Sequence, residues 1–426
     1  MPEIAIVGLG FVGLTTGLCL AEKGHSVRGV DRDAGRMETI RRGKIPFHEP
    51  HLLEALGRHL GQGFRLAADS REALSGADAV FICVGTPGTD EGGANLSFVV
   101  QAAREAAEHS SREKYPVVVV KSTVPPGSTA GPVYAALEES GRRIGGDIGL
   151  AVAPEFLREG HAWEDSVNPD RVVVGAVDDR AGEILELVLG CFSAPVRLVS
   201  ATEAEFIKYL SNTLLATLIS FSNEQAMLAR KIGDIDIARA FGILHEDKRW
   251  RGEPAAMTSY AFPGCGFGGY CLPKDTAALR NVARDHGMAD TMLESVLRVN
   301  RQARADAAER IAAASDPLAP IGVLGLSFKP GSDDVRDSPA ADIIGRLIDG
   351  GRKNIVAHDP MAMAAYAGAF KHPIRYRETA EQVVAECGTV AILAAWPEYR
   401  ALDYAGKRVL DCRYCLPPGV AMEGWS

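Results

Sequence analysis

A chain of 426 residues is too long for one small domain, and two or three are expected. Apolar residues make up 46% and charged residues 24%, the balance of an ordinary globular protein. A net charge of −9 leaves no basic footprint for nucleic acid, and no apolar run approaches the ~20 residues needed to span a bilayer. Eight cysteines fall without an even framework, and no basic-then-apolar leader opens the chain, so a reducing cytoplasm is the expected compartment.

The first element is a β-branched run from Ile4 to Val7. It is followed by Gly8-Leu9-Gly10-Phe11-Val12-Gly13 and an apolar helical stretch to about Glu22. This order is strand, glycine turn, helix. Gly8 permits the tight turn, Gly10 lets a pyrophosphate approach, and Gly13 allows helix to pack closely on strand. The helix start then offers its N–H groups to phosphate. A second strand, His25 to Val30, ends at Asp31, where a ribose 2′-hydroxyl would be bound. Asp31 would repel a 2′-phosphate, so NAD is expected over NADP; Arg32 and Arg36 weaken that preference without reversing it.

Further strands are expected at Ala79 to Val84, Val117 to Val120 and Ile148 to Ala153. Ligands of an open parallel sheet sit beyond the carboxyl ends of its strands. Thr86, Thr123 and Glu155 all stand at such ends. Each alone would pass for a cap or a polar loop residue; together they mark a shared crevice.

Thr202 to Ile232 reads as one long helix, with Thr202 as N-cap and Glu205 closing a capping box. Phe206 to Leu228 is apolar on most sides and should be largely buried, which suits a dimer core. Lys208 and Asn212 interrupt it one turn apart, on one face. They either face a substrate oxygen, or Lys208 snorkels to solvent from the helix start.

A charged stretch from Glu246 leads into Gly264-Cys265-Gly266-Phe267-Gly268-Gly269-Tyr270-Cys271-Leu272-Pro273-Lys274-Asp275. A thiol on a glycine-rich turn beside Lys274 and Asp275 is a candidate nucleophile; the alternative is a tight turn around an inert cysteine. A helix should resume from Thr276 to Arg284.

Asp316 to Pro320 reads as a linker. A second α/β unit follows, with strands at Ile321–Leu324, Ile355–Ala357, Thr389–Leu393 and Arg408–Leu410. Its first loop, Gly325 to Ser338, lacks G-x-G-x-x-G and should not hold a second dinucleotide in the same way. Lys329 on that loop either grips a pyrophosphate or is simply solvated. Cys412 and Cys415 form a C-x-x-C pair without a second pair, so no metal is expected. The fold class is therefore α/β: two Rossmann-like doubly wound domains joined by a long central helix. The expected divisions are residues 1–200 for NAD, 201–315 for the helical middle with the cysteine turn, and 316–426 for the second α/β unit.

These motifs together resemble the nucleotide-sugar dehydrogenase family, nearest its UDP-glucose 6-dehydrogenase branch, with the GDP-mannose enzymes as near kin. The resemblance rests on Gly8–Gly13, Cys83–Pro87, Lys121–Pro125, Pro154–Gly160, Asn168–Arg171, Glu205–Tyr209, Gly268–Asp275 and Leu324–Ser338, in order along nearly the whole chain. It implies a four-electron oxidation of a sugar C6 alcohol to the carboxylate, with NAD as oxidant and Cys271 carrying the half-oxidised sugar. It implies Thr123 and Glu155 at the reacting carbon, Lys208 and Asn212 on the C6 oxyanion, and Asp275 assisting water and base chemistry.

Cofactor contacts carried over by motif are Gly8, Gly10, Phe11, Val12, Gly13, Asp31, Arg36, Thr86, Thr123, Glu159, Lys274 and Arg336. The sugar nucleotide would meet Glu155, Phe156, Leu157, Lys208, Asn212, Tyr260, Phe262, Gly266, Phe267, Gly268 and Lys329. A homodimer or higher homo-oligomer is implied, with no membrane or nucleic-acid partner. Two departures bear on substrate choice: a longer stretch between Arg249 and Tyr260, and His51 where the family commonly has glycine after Glu49-Pro50. Other readings are the same chemistry on GDP-mannose or a UDP-N-acetylhexosamine, a two-electron β-hydroxyacid-type dehydrogenase, and a non-catalytic NAD-binding protein.

Overall fold

The computed structural model describes residues 2–246, 262–285, 287–288, 291–417 and 419–421. Tyr260 and the stretch from Arg249 to Tyr260 lie outside the described residues. The chain divides into two compact units, Met1–Ser211 and Asn212–Ser426.

The first unit is built on an eight-stranded sheet of order β3-β2-β1-β4-β5-β6-β7-β8. Its strands are β1 (Glu3–Val7), β2 (Ser26–Val30), β3 (Phe64–Leu66), β4 (Ala79–Ile82), β5 (Val117–Val120), β6 (Gly149–Val152), β7 (Val172–Ala176) and β8 (Val196–Ser200). All pairings are parallel except β6 with β7. The β-branched runs need no polar face, because each central strand is buried on both sides. Ile4, Ile6, Phe81, Val117 and Val119 feed one core. Ala5, Val7, Val80, Ile82, Val118 and Val120 feed the other. Strand order reverses between β1 and β4, which places a crevice at their carboxyl ends.

The second unit ends in an all-parallel five-stranded sheet of order β11-β10-β9-β12-β13. These strands are β9 (Ile321–Leu324), β10 (Ile355–His358), β11 (Arg375–Tyr376), β12 (Thr389–Ile392) and β13 (Arg408–Asp411). Helices Leu272–Asp285 and Met292–Ala314 precede it. The fold is thus α/β, with a mostly parallel sheet in the first unit, an all-parallel sheet in the second, and a long helix, Ala201–Ile232, whose residues run across the division of the chain.

Three local expectations need correction. The long helix begins at Ala201, and the hydroxyl of Ser200 accepts from the Glu203 N–H at 3.2 Å. Glu205 closes no capping box. Its buried carboxylate accepts instead from the N–H groups of Gly127 and Thr129 at 2.6 and 2.7 Å. A two-donor site on a distant loop out-competes a local cap for that charge.

The helix is also less buried than its composition predicts. Phe206, Leu210, Leu214 and Phe221 are 45%, 52%, 52% and 51% exposed, one per turn or two. Finally, the helix after the cysteine turn starts at Leu272 rather than Thr276. Pro273 is tolerated there because the first helical turn needs no N–H partner.

Candidate active site

Gly8 takes φ +93°, and a Cβ on it would lie 2.9 Å from the Cys83 carbonyl. A Cβ on Gly13 would collide with the Gly8 carbonyl, so the helix sits directly on the turn. Above Gly10 a Cβ would meet nothing within 4 Å. The helix Phe11–Glu22 has no side-chain cap. Its first N–H groups therefore face an open cradle, which suits a pyrophosphate. Asp31 braces this loop: its Oδ2 accepts from Leu9 N–H at 2.7 Å and from Arg36 at 2.8 Å. The Arg32 guanidinium stacks on Phe98 at 3.9 Å. The residues present fit a dinucleotide.

At the ends of β4 and β5, the buried Thr86 hydroxyl donates to the Thr123 carbonyl at 2.9 Å. The Ser122 hydroxyl donates to the Val84 carbonyl at 2.6 Å. These bonds draw the Thr86 and Thr123 loops together.

At the end of β6 the structure places Glu155 and Lys208 2.9 Å apart, with 7% and 4% of each residue exposed. Snorkelling of Lys208 is thereby excluded. Glu155 also accepts from the Leu157 N–H at 2.6 Å. Burial opposes its charge, but the Lys208 ammonium and the hydrogen bonds outweigh burial and hold its pKa below the ordinary carboxylate value. Phe156 lies under the Lys208 ammonium at 5.6 Å and under Arg171 at 4.4 Å. The Lys121 ammonium reaches the Pro154 carbonyl at 3.3 Å, and burial lowers its pKa. A buried ion pair adds little net stability. Its value here is a carboxylate kept ionised beside a fixed ammonium.

The second unit holds the other group of candidates. Cys271 is half-buried and immediately precedes helix Leu272–Asp285, a helix start that favours an anion. Its carbonyl accepts from the Asp275 N–H at 2.8 Å. Asp275 is fully buried; its oxygens accept from Asn212 Nδ2 at 2.5 Å and Lys274 Nζ at 2.6 Å. Burial lowers the Lys274 pKa, but Asp275, then Cys271 and Tyr270, outweigh it and leave the pKa raised. By contrast, burial pushes the Cys83 thiol up to about 12, the state of an inert core cysteine.

The glycine turn is clamped throughout. Gly266 and Gly269 take φ +103° and +84°. A Cβ on Gly268 would collide with the Asp337 carbonyl. Phe267 N–H donates to Asn300 Oδ1 at 2.8 Å, and its carbonyl accepts from Arg304 Nη2 at 2.6 Å. Arg304 also grips Asp337 at 2.7 Å. Gly269 N–H donates to the Arg336 carbonyl at 3.0 Å, which ties the turn to the loop carrying Lys329 and Arg336. Arg336 stacks on Tyr270 at 4.4 Å and pairs with Asp334 at 2.7 Å. Lys329 lies 5.5 Å from the Phe328 ring.

The rings of two further candidates pack against apolar and aromatic neighbours. The Phe267 ring is buried against Ala216 and Val296. Phe262 joins an aromatic cluster with Phe241 and Tyr414, at ring separations of 5.9 and 6.2 Å.

Sequence reasoning gave no role to Lys121, Asn223, Asn300 and Arg304, and read Glu205 only as a cap. Asn223 accepts from Gly264 N–H at the start of the turn. A polar residue breaking an apolar helical stripe was the available signal for Asn223, Asn300 and Arg304, all buried. Among the described residues, no group of three or more His, Cys, Asp or Glu could hold a metal, and no helix is long and apolar enough to cross a membrane.

Family models match three stretches of the chain: the NAD binding domain of the UDP-glucose/GDP-mannose dehydrogenase family at residues 2–192, its central domain at 202–302 and its UDP binding domain at 322–418. The chain belongs to this family. It is an NAD-dependent oxidoreductase of the nucleotide-sugar dehydrogenase class. It is 37% identical over 414 residues to UDP-glucose 6-dehydrogenase of Rhizobium meliloti, covering 94% of this chain and 91% of that one. It is 34% identical over 426 residues to GDP-mannose 6-dehydrogenase of Pseudomonas putida, covering 96% and 95%. Among solved structures, a UDP-glucose dehydrogenase from Pyrobaculum islandicum superposes with a TM-score of 0.91 at 39% identity, covering 100% of this chain and 98% of that one.

Proposed function

We propose that the chain oxidises the C6 alcohol of UDP-glucose to UDP-glucuronate through a covalent intermediate on Cys271. The observation that carries this reading is the half-buried Cys271 at a helix start, on a glycine turn clamped by buried polar side chains, beside the Asn212–Asp275–Lys274 network. A two-electron alcohol dehydrogenase has no use for such a thiol.

NAD⁺ supplies the hydride acceptor for both oxidations. The protein's own groups do the rest. In the first step the C6 hydroxyl loses a proton to water held by Glu155 while the C6–H bond breaks, leaving an aldehyde. The Cys271 thiolate then adds to the aldehyde carbon. Lys208 and Asn212 donate to the oxygen that gains charge. Loss of the second C6 hydrogen as hydride converts this thiohemiacetal to a thioester. Water attacks the thioester, the C–S bond breaks, and the carboxylate leaves Cys271 as thiolate. Glu155, kept ionised by Lys208, accepts a proton through water, and Asp275 holds the helix start that carries the thiol. The sum is one alcohol, one water and two NAD⁺ to one carboxylate, two NADH and three protons.

In this reading residues 1–200 hold NAD, 201–315 carry the thiol, and 316–426 hold the nucleotide through Lys329. The exposed stripe Phe206, Leu210, Leu214 and Phe221 would pair with a second copy as a homodimer, and the enzyme would work in the cytoplasm beside its nucleotide-sugar supply.

A panel of UDP- and GDP-sugars assayed for NADH release tests the substrate. UDP-glucose should give about two NADH per sugar, from two hydride transfers. Preference for GDP-mannose would move the assignment to the GDP branch, and one NADH per sugar would remove the thioester route. Cys271→Ser should keep NAD binding and lose uronate formation, and wild-type mass spectra should show a sugar adduct on Cys271. Lys208→Ala should cost about 2.7–4 kcal/mol of barrier.

A further inference from the structure

Glu49 sits on the Phe47–Glu49 strap of the first unit, and the chemistry described above leaves it without a role. It is 3% exposed. A buried carboxylate is costly unless its oxygens are satisfied. Both are: Oε2 accepts from Gly160 N–H at 2.8 Å and Oε1 from Ala162 N–H at 2.7 Å, more than a hundred positions along the chain.

Gly160 takes φ +85°, a turn that favours glycine, and this turn aims its N–H at Glu49. Ala162 opens a short helix whose own preceding residue, His161, supplies no side-chain cap. Glu49 therefore provides from afar the acceptor that the local sequence lacks. The opposite side of the same loop is pinned by Asp165, which accepts from Arg158 N–H at 2.9 Å and Nη2 at 2.6 Å.

The strap also reaches the glycine cradle. Phe47 packs on Phe11, with ring centroids 5.4 Å apart. Just beyond Glu49, Leu52, Ala55 and Leu56 anchor the following helix in the core. One segment thus braces the helix start that faces the pyrophosphate and the loop that carries Glu159.

We infer that Glu49 is a positioning residue for NAD, holding the Glu159–Gly160 loop in the shape that meets the cofactor while Phe47 holds Phe11. The inference rests on the proposed cofactor contacts of Phe11 and Glu159. A loop already fixed costs no ordering free energy on binding, and a loosened one takes that cost out of affinity.

The test is calorimetric titration of NAD into the full chain, with melting temperature and the sugar KM at saturating NAD measured alongside. Glu49→Gln should raise the NAD Kd about tenfold and Glu49→Ala more, because glutamine keeps one acceptor oxygen. The sugar KM should stay unchanged. Phe47→Leu, which keeps the apolar contact, should raise the NAD Kd by a smaller factor and gives the reading if both Glu49 variants fail to fold. Lower melting temperatures with an unchanged NAD Kd, or equal rises in NAD Kd and sugar KM, would overturn the inference. NAD titration does not depend on turnover, so failure of the proposed sugar chemistry leaves this test standing.

Discussion

After β1 the chain reads Gly8-Leu9, and after β9 it reads Gly325-Leu326. Both glycines take positive φ, +93° and +97°. Gly8 N–H donates to the Val30 carbonyl at 2.8 Å and Gly325 N–H to that of His358 at 2.9 Å. The following leucine N–H donates to an aspartate at the end of the neighbouring strand in each case: Asp31 at 2.7 Å, Asp359 at 2.8 Å. The two sheets share one device for turning the chain.

They part immediately afterwards. In the first sheet the helix starts at Phe11, capped by nothing but Gly10, and its N–H groups stay available. In the second the helix starts at Pro339, and Ser338 caps it, accepting from Ala340 N–H at 3.2 Å. Asp359 is fully buried and saturated: it also accepts from Ser327 N–H and hydroxyl, Met361, Ala362 and the Trp396 indole. Such an acid has no lone pair left for a ribose. One scaffold thus yields a dinucleotide cradle where caps are absent, and a closed structural joint where they are present.

The largest expected break of this comparison is Asp359→Ala. It should cost more than about 3 kcal/mol by stranding several buried donors, with NAD affinity of the folded fraction unchanged. Chemical denaturation and NAD titration together check it; weaker NAD binding at full stability would mean the second sheet does hold dinucleotide. Asp31→Ala should do the reverse, raising the NAD Kd about tenfold while stability falls less.

A smaller effect is expected from His51→Gly. His51 takes φ +63°, in the left-handed region that favours glycine. Relieving that strain should stabilise the first unit by about 1 kcal/mol, read as a higher denaturant midpoint. The weakest effect is that of pH. Because the Glu155 pKa is depressed, its contribution to stability is present above the ordinary carboxylate range and lost as pH falls through the lower folded value. The melting temperature of wild type should therefore fall in acid more steeply than that of Lys208→Met; parallel curves would detach Glu155 from Lys208.

The glycine spacing, the apolar strands and the long helix were legible because they are local: each follows from neighbours a few residues apart. So was the cysteine turn, as a run of glycines around a thiol. The Glu205 capping box failed because a sequence shows the nearest donor, and this carboxylate chose Gly127 and Thr129 on a loop far along the chain. The exposed stripe on the long helix failed for a related reason. Apolar content states what could be buried, not whether this chain alone covers it.

Residue order by itself determined the class of the molecule: strand, glycine turn and helix with an acid at Asp31, and a cysteine on a bare loop. Only tertiary structure decided how the ionisable groups pair. Glu155 with Lys208, Asp275 with Asn212, and Glu49 with Gly160 and Ala162 are joined across long stretches of chain. A buried charge takes whichever partner the packed elements bring within hydrogen-bond reach, and that partner is set by how strands, helices and loops pack, not by the spacing of residues along the chain.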